Sequence, residues 1–281
     1  MTARLGSEHE VIGWTRQDID LTRHQDVREA IGELAPQAIV NCASFNQVDA
    51  AEDDQVTALE VNAMVVGTMA RAAAALDAMF VHYSTDFVFS GTAQTPYLET
   101  DRPEPRSAYA QSKLIGEWLA ADAPRHYVLR VESLFGGPHR RSSVDRILDQ
   151  VRQGQPAPVF VDRVVSPSFV ADVADASAFM LRTQPEYGVY HCVNSGHATW
   201  FAVGQEIATR IGGSEASLKP ISVNDVQLRA PRPQFAALSN EKLARAGYKM
   251  PAWQDAIGRY CDLLRPKSSL GQGENGGLSP V

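Results

Sequence analysis

The sequence contains little cysteine and has none of the common motifs of metal enzymes or hydrolases. Its three cysteines, Cys42, Cys192 and Cys261, lie far apart, and an odd, scattered set fits neither a disulfide framework nor a zinc site. No His-Glu-x-x-His motif or cluster of cysteine and histidine is present, so we predict no metal centre. A Gly-x-Ser-x-Gly motif is missing as well, which removes the main signature of a serine hydrolase.

An excess of positive charge and a long apolar run are also absent. The 281 residues include 26 Lys and Arg against 33 Asp and Glu, a formal net charge of −7, whereas nucleic-acid-binding proteins usually carry a basic face. No stretch approaches the roughly 18 uninterrupted apolar residues of a membrane span. The N-terminal residues MTARLGSEHEVIGW have no apolar core of a signal peptide. We therefore expect a cytoplasmic protein that binds neither nucleic acid nor membranes.

Short apolar runs alternate along the chain with stretches of helical periodicity. Residues 25–34 and 56–76 have the helical pattern. The runs that we predict as strands are Glu10–Trp14, Ala38–Cys42, Phe80–Ser84, Tyr127–Val131, Pro158–Val161 and Val189–Cys192. Continuous apolar strands separated by helices are typical of parallel sheets buried on both faces. The predicted fold class is therefore α/β, with a doubly wound, mainly parallel, Rossmann-like sheet.

The pattern becomes less regular in the second half of the chain, which suggests a second unit. We predict a dinucleotide-binding, Rossmann-like domain over residues 1–138. Residues 139–265 are expected to form a smaller, mainly substrate-binding domain that is partly interleaved with the sheet. Residues 266–281, rich in glycine, serine and proline without apolar periodicity, are predicted to be a disordered tail.

A tyrosine and a lysine four residues apart, Tyr109 and Lys113, are the first candidates for catalysis. Ser107 can cap the helix that carries them, so both side chains would project from one helix face. A phenol with a pKa near 10 becomes a better acid–base catalyst when a nearby ammonium lowers that pKa. This spacing is common on surface helices, so it needs further support. Thr85 provides that support. This residue lies at the end of a predicted strand, and α/β proteins bind ligands at the carboxyl ends of parallel strands.

An ordered set of motifs resembles the extended short-chain dehydrogenase/reductases, and within them the dTDP-4-dehydrorhamnose reductases. The set covers nearly everything from Glu10 to Leu264. Its blocks, in chain order, are VNCASFNQVDAAE, VNA, HYSTDFVFSG, PYLETDRPEPRSAYAQSKLIGE, LRVESLFGG, DRVVSPSFVADVA, GVYHCVNSGHATWFAVGQEI, RPQFAALSNEKL and MPAWQDAIGRY. Because the blocks occur in the family order, a chance match is a poor explanation.

The resemblance implies a role for several residues. Tyr109 would protonate a substrate carbonyl while a nicotinamide delivers hydride. Lys113 would lower the pKa of Tyr109 and hold the nicotinamide ribose, and Thr85 would hydrogen-bond the substrate oxygen. The remaining implied contacts are Asp86 with the sugar, Cys42, Ala43 and Ser44 with the cofactor, and Asp20 and Leu21 with its adenine.

Two positions depart from the pattern of related enzymes. Sugar dehydratases of the same superfamily carry a glutamate base where this chain has Phe87, so the resemblance does not extend to dehydration. The reductases offer a tryptophan to the substrate within the segment RTSWVYG, which corresponds here to Arg130–Gly136. We predict that Leu134 takes that place, which would change the preference for the sugar.

The implied cofactor is NADPH, although NADH stays open. In dinucleotide folds an acidic residue after the second strand binds the adenosine ribose, whereas an arginine accommodates a 2′-phosphate. Arg16 follows the predicted strand Glu10–Trp14, and no acidic residue lies between the end of this strand and Asp18. Arg16 is therefore a candidate cofactor residue, against the alternative of an ordinary solvated charge.

A fold of this kind opens with a strand, a glycine-rich turn and a helix that receives the pyrophosphate. No Gly-x-x-Gly-x-x-Gly pattern precedes Glu10. We therefore expect the first strand and its loop to be missing. A start codon assigned too late, a true truncation with weak cofactor binding, and a protein that acts by binding a partner would each explain this.

The function that these observations favour is a reductase of the 4-keto group of a dTDP-4-keto-6-deoxy sugar, in deoxysugar biosynthesis. Its partner would be the nucleotide sugar, and a homodimer is one oligomeric state that the sequence leaves open. The first alternative is a catalytically weak, partner-binding homologue, similar to the regulatory subunit of methionine adenosyltransferase. The second is a nucleotide-sugar epimerase, since epimerases share the tyrosine–lysine pair.

Overall fold

A four-stranded parallel sheet forms the centre of the computed structural model, which describes residues 1–265. Its order is β1-β2-β3-β8, and Val81 of β2 lies opposite Val40 of β1 and Tyr127 of β3. The strands are β1 (Ala38–Asn41), β2 (Met79–Thr85), β3 (His126–Val131), β4 (Leu134–Phe135), β5 (Ala157–Phe160), β6 (Val164–Val165), β7 (Ser168–Phe169), β8 (Gly188–His191), β9 (Ala198–Thr199) and β10 (Leu218–Ile221). The sheet confirms the predicted α/β class.

Helices connect these strands and cover the sheet on both faces. They are α1 (Thr2–Leu5), α2 (His24–Leu34), α3 (Gln55–Leu59), α4 (Val65–Ala75), α5 (Ala108–Ala120), α6 (Ser143–Arg152), α7 (Val170–Thr183), α8 (Trp200–Ile211), α9 (Glu241–Arg245) and α10 (Trp253–Leu263). Helices α2 and α4 pack against Phe80 and Val128 on one face, while α7 packs against Val81 and Leu129 on the other. The central strands carry apolar residues on both sides because neither face meets water.

The structure differs from the sequence prediction at the first expected strand. Residues 10–14 form no strand, and Ile12 and Trp14 are 54% and 39% exposed. Within residues 1–265 no neighbouring strand pairs with this run, and an extended segment without a partner leaves its backbone groups to water. The apolar run alone therefore gave a wrong prediction.

Two other predictions are refined. The predicted helix over residues 56–76 is continuous but changes its hydrogen bonding, with a π-helical turn at Glu60–Met64 between α3 and α4. The run at 158–161 does form a strand, β5, but in the described part of the chain β5 pairs with β10 in a separate two-stranded sheet. The tail predicted over residues 266–281 lies outside the described residues.

A second apolar core lies in the later half of the chain. Helices α6, α8 and α10 pack around β5 and β10 through residues that include Leu148, Ile207 and Ile257, all almost completely buried. Chain segments from this half also return to the first half, since β8 joins the central sheet beside β3. No helix among residues 1–265 is long and apolar enough to cross a membrane.

Candidate active site

The candidate catalytic residues lie where the carboxyl end of β2 meets the first turns of α5. Thr85 is the last residue of β2, and Tyr109 and Lys113 follow each other on one face of α5. All three side chains are buried, with exposed fractions of 6%, 9% and 2%. The polar end of a central parallel strand is thus brought against the tyrosine and the lysine, although Thr85 and Tyr109 are 24 positions apart in the sequence.

Local sequence explains why α5 begins at this place. The Ser107 side chain accepts a hydrogen bond from Ala110 N at 3.2 Å, which confirms the predicted N-cap. Glu52 Oε1 accepts a second hydrogen bond, from Ala108 N, at 2.9 Å. Further along, a Cβ on Gly116 would lie 2.1 Å from the Asn62 carbonyl oxygen, so only glycine lets α5 approach the π-helical turn this closely. These contacts fix the position of the helix face that carries the candidate residues.

Tyr109 lies in a mixed apolar and hydroxylic environment. Burial raises the pKa of its phenol to about 12, while the hydroxyl groups of Thr85 and Ser44 act in the opposite direction. The Phe87 ring packs edge-on against the Tyr109 ring, with centroids 5.7 Å apart. The side chain is therefore rigidly held and fully protonated at neutral pH.

Lys113 does not have the effect on Tyr109 that the sequence predicts. Its Nζ donates a hydrogen bond to the Tyr83 carbonyl oxygen at 2.5 Å and lies 3.4 Å from His82 Nε2. Burial lowers the pKa of Lys113 to about 8, against the opposing effect of Glu117. In this geometry the amine is directed to β2, and the dominant influence on the pKa of Tyr109 is burial, which raises it. The expected lowering of that pKa by Lys113 is therefore not found.

Two buried carboxyl groups lie beside Thr85. Burial raises the pKa of Asp86 to about 7, and Arg163 and the Thr85 hydroxyl, which donates to Asp86 Oδ1 at 3.0 Å, partly oppose this. Burial, together with the neighbouring Asp86, raises the pKa of Glu132 well above its usual value. The second carboxyl oxygen of Asp86, Oδ2, is buried and has no hydrogen-bond partner among the described residues. An unpaired buried acceptor at this position is suited to a hydroxyl group of a ligand.

The predicted cofactor residues fall into two groups. Ala43 and Ser44 follow the end of β1, and Ser44 lies close enough to Tyr109 to affect the pKa of its phenol. Cys42, beside them, is exposed. Hydroxyl groups, an amine and an exposed backbone segment at the carboxyl ends of β1 and β2 form a donor set that fits the ribose and nicotinamide of a dinucleotide.

The second group lies in the exposed segment that leads into α2. Arg16 belongs to a turn in which Asp18 accepts hydrogen bonds from the backbone and hydroxyl of Thr15, both at 2.7 Å. Asp20 is exposed and accepts hydrogen bonds from Thr22, whereas Leu21 packs against the apolar cluster below β1. These residues precede β1 in the chain, and these hydrogen bonds are local to this segment.

Leu134 begins β4 and is 40% exposed. Compared position by position, however, the tryptophan of the segment RTSWVYG corresponds to Ser133, the residue before Leu134, so the predicted correspondence was displaced by one residue. Ser133 has a φ of 41°, in the left-handed region, and connects β3 to β4 at the site. Leu134 nevertheless has the most exposed apolar side chain of this segment, because Val131 and Phe135 are buried.

Sequence reasoning missed several polar residues of the site. Glu132 was overlooked because it ends an apolar strand run, although a buried acid in such a run is itself an unusual signal. Arg163 lies far away in the sequence and enters the site through its charge on Asp86 and Glu132. Asn41 and His82 were interpreted as strand residues, and their contact depends on the pairing of β1 with β2.

A parallel sheet covered by helices, with a threonine, a tyrosine and a lysine beside its central strands, defines the class of extended short-chain dehydrogenase/reductases. Comparison with protein families narrows this class. The family described as "RmlD substrate binding domain" matches residues 1–265, and the chain belongs to this family.

Individual relatives agree with this assignment. A dTDP-4-dehydrorhamnose reductase from Burkholderia thailandensis is 30% identical over 265 residues, which span 89% of each chain. The crystal structure of a dTDP-4-dehydrorhamnose reductase from Clostridium acetobutylicum superposes with a TM-score of 0.88, with 28% identity and 94% of each chain covered. A Bacillus anthracis dTDP-4-dehydrorhamnose reductase in complex with NADP has a TM-score of 0.86, 26% identity and 92% coverage of each chain.

Proposed function

We propose that this protein is an NADPH-dependent reductase of the 4-keto group of a dTDP-4-keto-6-deoxy sugar. The observation that carries the proposal is the set of three buried side chains at the end of β2: Thr85 on the strand, and Tyr109 and Lys113 one helical turn apart on α5. The similarity to relatives named dTDP-4-dehydrorhamnose reductase, over nearly the whole described chain, supports the substrate class.

Tyr109 serves as the acid of this reaction. Its phenol, with a pKa raised to about 12, is protonated at neutral pH and can give its proton to the oxygen that becomes the alcohol. Because an alkoxide is more basic than this phenolate, the transfer is favourable as negative charge develops on the oxygen. When the substrate binds, Thr85 turns its hydroxyl proton from Asp86 Oδ1 to the same oxygen and holds this oxygen next to the phenol.

The cofactor residues follow from the same geometry. NADPH supplies the hydride when it is bound. Lys113 and Tyr109 hold its nicotinamide ribose, and Cys42, Ala43 and Ser44 line it at the end of β1. Asp20 and Leu21 flank the adenine, and Arg16 binds the 2′-phosphate. The relative from Bacillus anthracis, which was crystallised in complex with NADP, supports the choice of the phosphorylated dinucleotide.

The sugar is bound on the other side of Thr85. The unpartnered Oδ2 of Asp86 accepts a hydrogen bond from a sugar hydroxyl. The exposed side chain of Leu134 covers an apolar part of the ring. Phe87 packs on Tyr109 and has no acidic group, so this position cannot abstract the proton that a dehydration requires.

The experiment that tests this proposal is NADPH oxidation in the presence of dTDP-4-keto-6-deoxyglucose or its epimer. We expect Tyr109→Phe to reduce kcat by about 10²- to 10⁴-fold, since it removes the general acid and keeps the ring. Tyr187→Phe is the matched control, because among residues 1–265 the Tyr187 hydroxyl bonds to Arg125 and Gln184, neither of which belongs to the site. Equal activity of wild type and Tyr109→Phe, or no activity of the wild type, would contradict the proposal.

A further inference from the structure

A chain of three buried polar side chains lies behind the proposed catalytic residues. It runs from Asn41 at the end of β1, through His82 in β2, to Lys113 on α5, and these residues are 4%, 0% and 2% exposed. Asn41 Nδ2 is 3.1 Å from His82 Nδ1, and His82 Nε2 is 3.4 Å from Lys113 Nζ. The polar atoms of all three residues are therefore connected through the interior.

The direction of each hydrogen bond in this chain is determined. Ala43 N donates to Asn41 Oδ1 at 3.0 Å, which fixes the orientation of the amide and leaves Nδ2 to donate to His82 Nδ1. Burial, with the neighbouring Lys113, lowers the pKa of His82 well below its usual value, so the ring is neutral. A neutral imidazole that accepts at Nδ1 carries its proton on Nε2. That N–H is directed at the amine of Lys113.

Only the neutral form of Lys113 has a lone pair that can accept this hydrogen bond. The neutral amine can accept from His82 Nε2 and donate to the Tyr83 carbonyl oxygen at 2.5 Å. In the ammonium form two N–H groups would oppose each other, unless the imidazole changed its tautomer and gave up its bond from Asn41. The chain therefore opposes protonation of Lys113 in addition to the effect of burial.

We propose that Asn41 and His82 are positioning residues that set the protonation state of Lys113 through this hydrogen-bond chain. Within residues 1–265, the charged or titratable groups beside Lys113 are His82 on β2 and Tyr109 and Glu117 on its own helix, with Arg130 of β3 behind Glu117. Of these, Glu117 favours the ammonium form.

For catalysis, the inference rests on the proposed function. In the proposed function the ammonium form of Lys113 holds the nicotinamide ribose, so the rate should fall as Lys113 loses its proton. We expect kcat/KM for the keto sugar to decline above about pH 8.

The unmodified protein provides the first test. Nuclear magnetic resonance of ¹⁵N-histidine-labelled protein should show His82 as the Nε2–H tautomer above about pH 9, where Lys113 is the neutral amine. With ¹³Cε-lysine labelling, the Lys113 resonance should titrate near pH 8, well below an exposed lysine near 10.4. An Nδ1–H tautomer above about pH 9, or a Lys113 titration above about pH 10, would overturn the inference.

Asn41→Asp tests the direction of the chain. A carboxylate accepts from His82 Nδ1–H, so Nε2 becomes an acceptor for the ammonium of Lys113. We expect the Lys113 titration and the basic limb of kcat/KM to move up together by at least about one pH unit. In a His82→Phe background the same substitution should shift the titration by less than half as much. An equal shift in both backgrounds would show a through-space charge effect and refute the role of His82.

The two proposals fail in distinguishable ways. The resonance titrations need no substrate, so they test the hydrogen-bond chain even if the protein shows no reductase activity. An active enzyme whose Lys113 titration ignores Asn41→Asp contradicts the role of Asn41 and His82 alone. If His82→Phe does not fold, the tautomer of wild-type His82 and the Asn41→Asp shift still decide the question.

Discussion

Glu117 and Arg130 form a buried, two-pronged ion pair that ties α5, the helix that carries Tyr109 and Lys113, to the central strand β3. Arg130 Nε and Nη2 donate to the two carboxyl oxygens of Glu117 at 2.9 and 2.7 Å, and both side chains are only 4% exposed. Ser84 donates a third hydrogen bond to the same carboxylate, at 2.5 Å. The helix that carries Tyr109 and Lys113 is therefore held by fully desolvated charges as well as by apolar packing.

Removing one partner of this pair should be strongly destabilising. Glu117→Gln leaves the guanidinium of Arg130 buried without a counter-charge, and we expect a loss of about 3–5 kcal/mol in the free energy of unfolding. Urea denaturation followed by circular dichroism measures this. The double variant Glu117→Met/Arg130→Met is the control, and it should recover part of the loss, because it removes both charges. A single variant as stable as wild type would show that the pair is not desolvated.

Asp86 should make stability depend on pH. Its folded-state pKa is raised from 3.8 to about 7, so between these values the folded chain keeps a proton that the unfolded chain releases. This contribution to stability is complete below about pH 4 and is lost as the pH rises through about 7. Asp86→Asn cannot lose the proton. We expect the variant to gain more than about 1 kcal/mol relative to wild type between pH 4 and pH 8.

Urea denaturation of wild type and Asp86→Asn at several pH values measures this gain. Asp18→Asn is the control, because hydrogen bonds from Thr15 lower the pKa of Asp18 in the folded chain. Its contribution has the opposite sign and is lost as the pH falls. A pH-independent difference between wild type and Asp86→Asn would contradict the raised pKa.

Gly91 should be intolerant of even a methyl group. It has a φ of 78°, and a Cβ would lie 2.4 Å from Pro233 Cα, where the segment after β10 crosses the end of β2. Gly91→Ala therefore combines left-handed strain with a backbone clash, and we expect a loss of about 2–4 kcal/mol. Gly212→Ala has the positive φ without a close neighbour, so about 1 kcal/mol is expected there. Thermal denaturation of both variants, with Gly137→Ala as a control free of either effect, separates strain from contact. Equal losses at Gly91 and Gly212 would argue against the clash.

Arg16 should determine the choice between the two nicotinamide cofactors. If its guanidinium binds the 2′-phosphate, Arg16→Ala should raise KM for NADPH about 10-fold or more and leave KM for NADH nearly unchanged. Steady-state kinetics with each cofactor measures this. Arg28→Ala, on the exposed side of α2, is a matched control for the loss of one surface charge. A parallel change for both cofactors would refute the assignment of Arg16.

The sequence by itself determined the parallel α/β fold and the local positions of Thr85, Tyr109 and Lys113 on their strand and helix. Apolar runs that must be buried on both faces predict central strands, and β1, β2, β3 and β8 were found where the runs lie. The N-cap at Ser107 and the spacing of Tyr109 and Lys113 depend on local helix geometry, so they too could be predicted from residues close together in the chain.

Only the tertiary structure decided the partners of these groups. The run Glu10–Trp14 has strand-like composition, but a strand requires a neighbour, and that depends on the rest of the fold. The Asn41–His82–Lys113 chain depends on the register of β1 against β2 and on the close approach that Gly116 allows. The pKa of Tyr109 was expected to fall and instead rises to about 12. Spacing along a helix specifies that Tyr109 and Lys113 are neighbours. Their protonation states depend on burial and on the hydrogen bonds of the Lys113 amine to β2, which the tertiary structure sets.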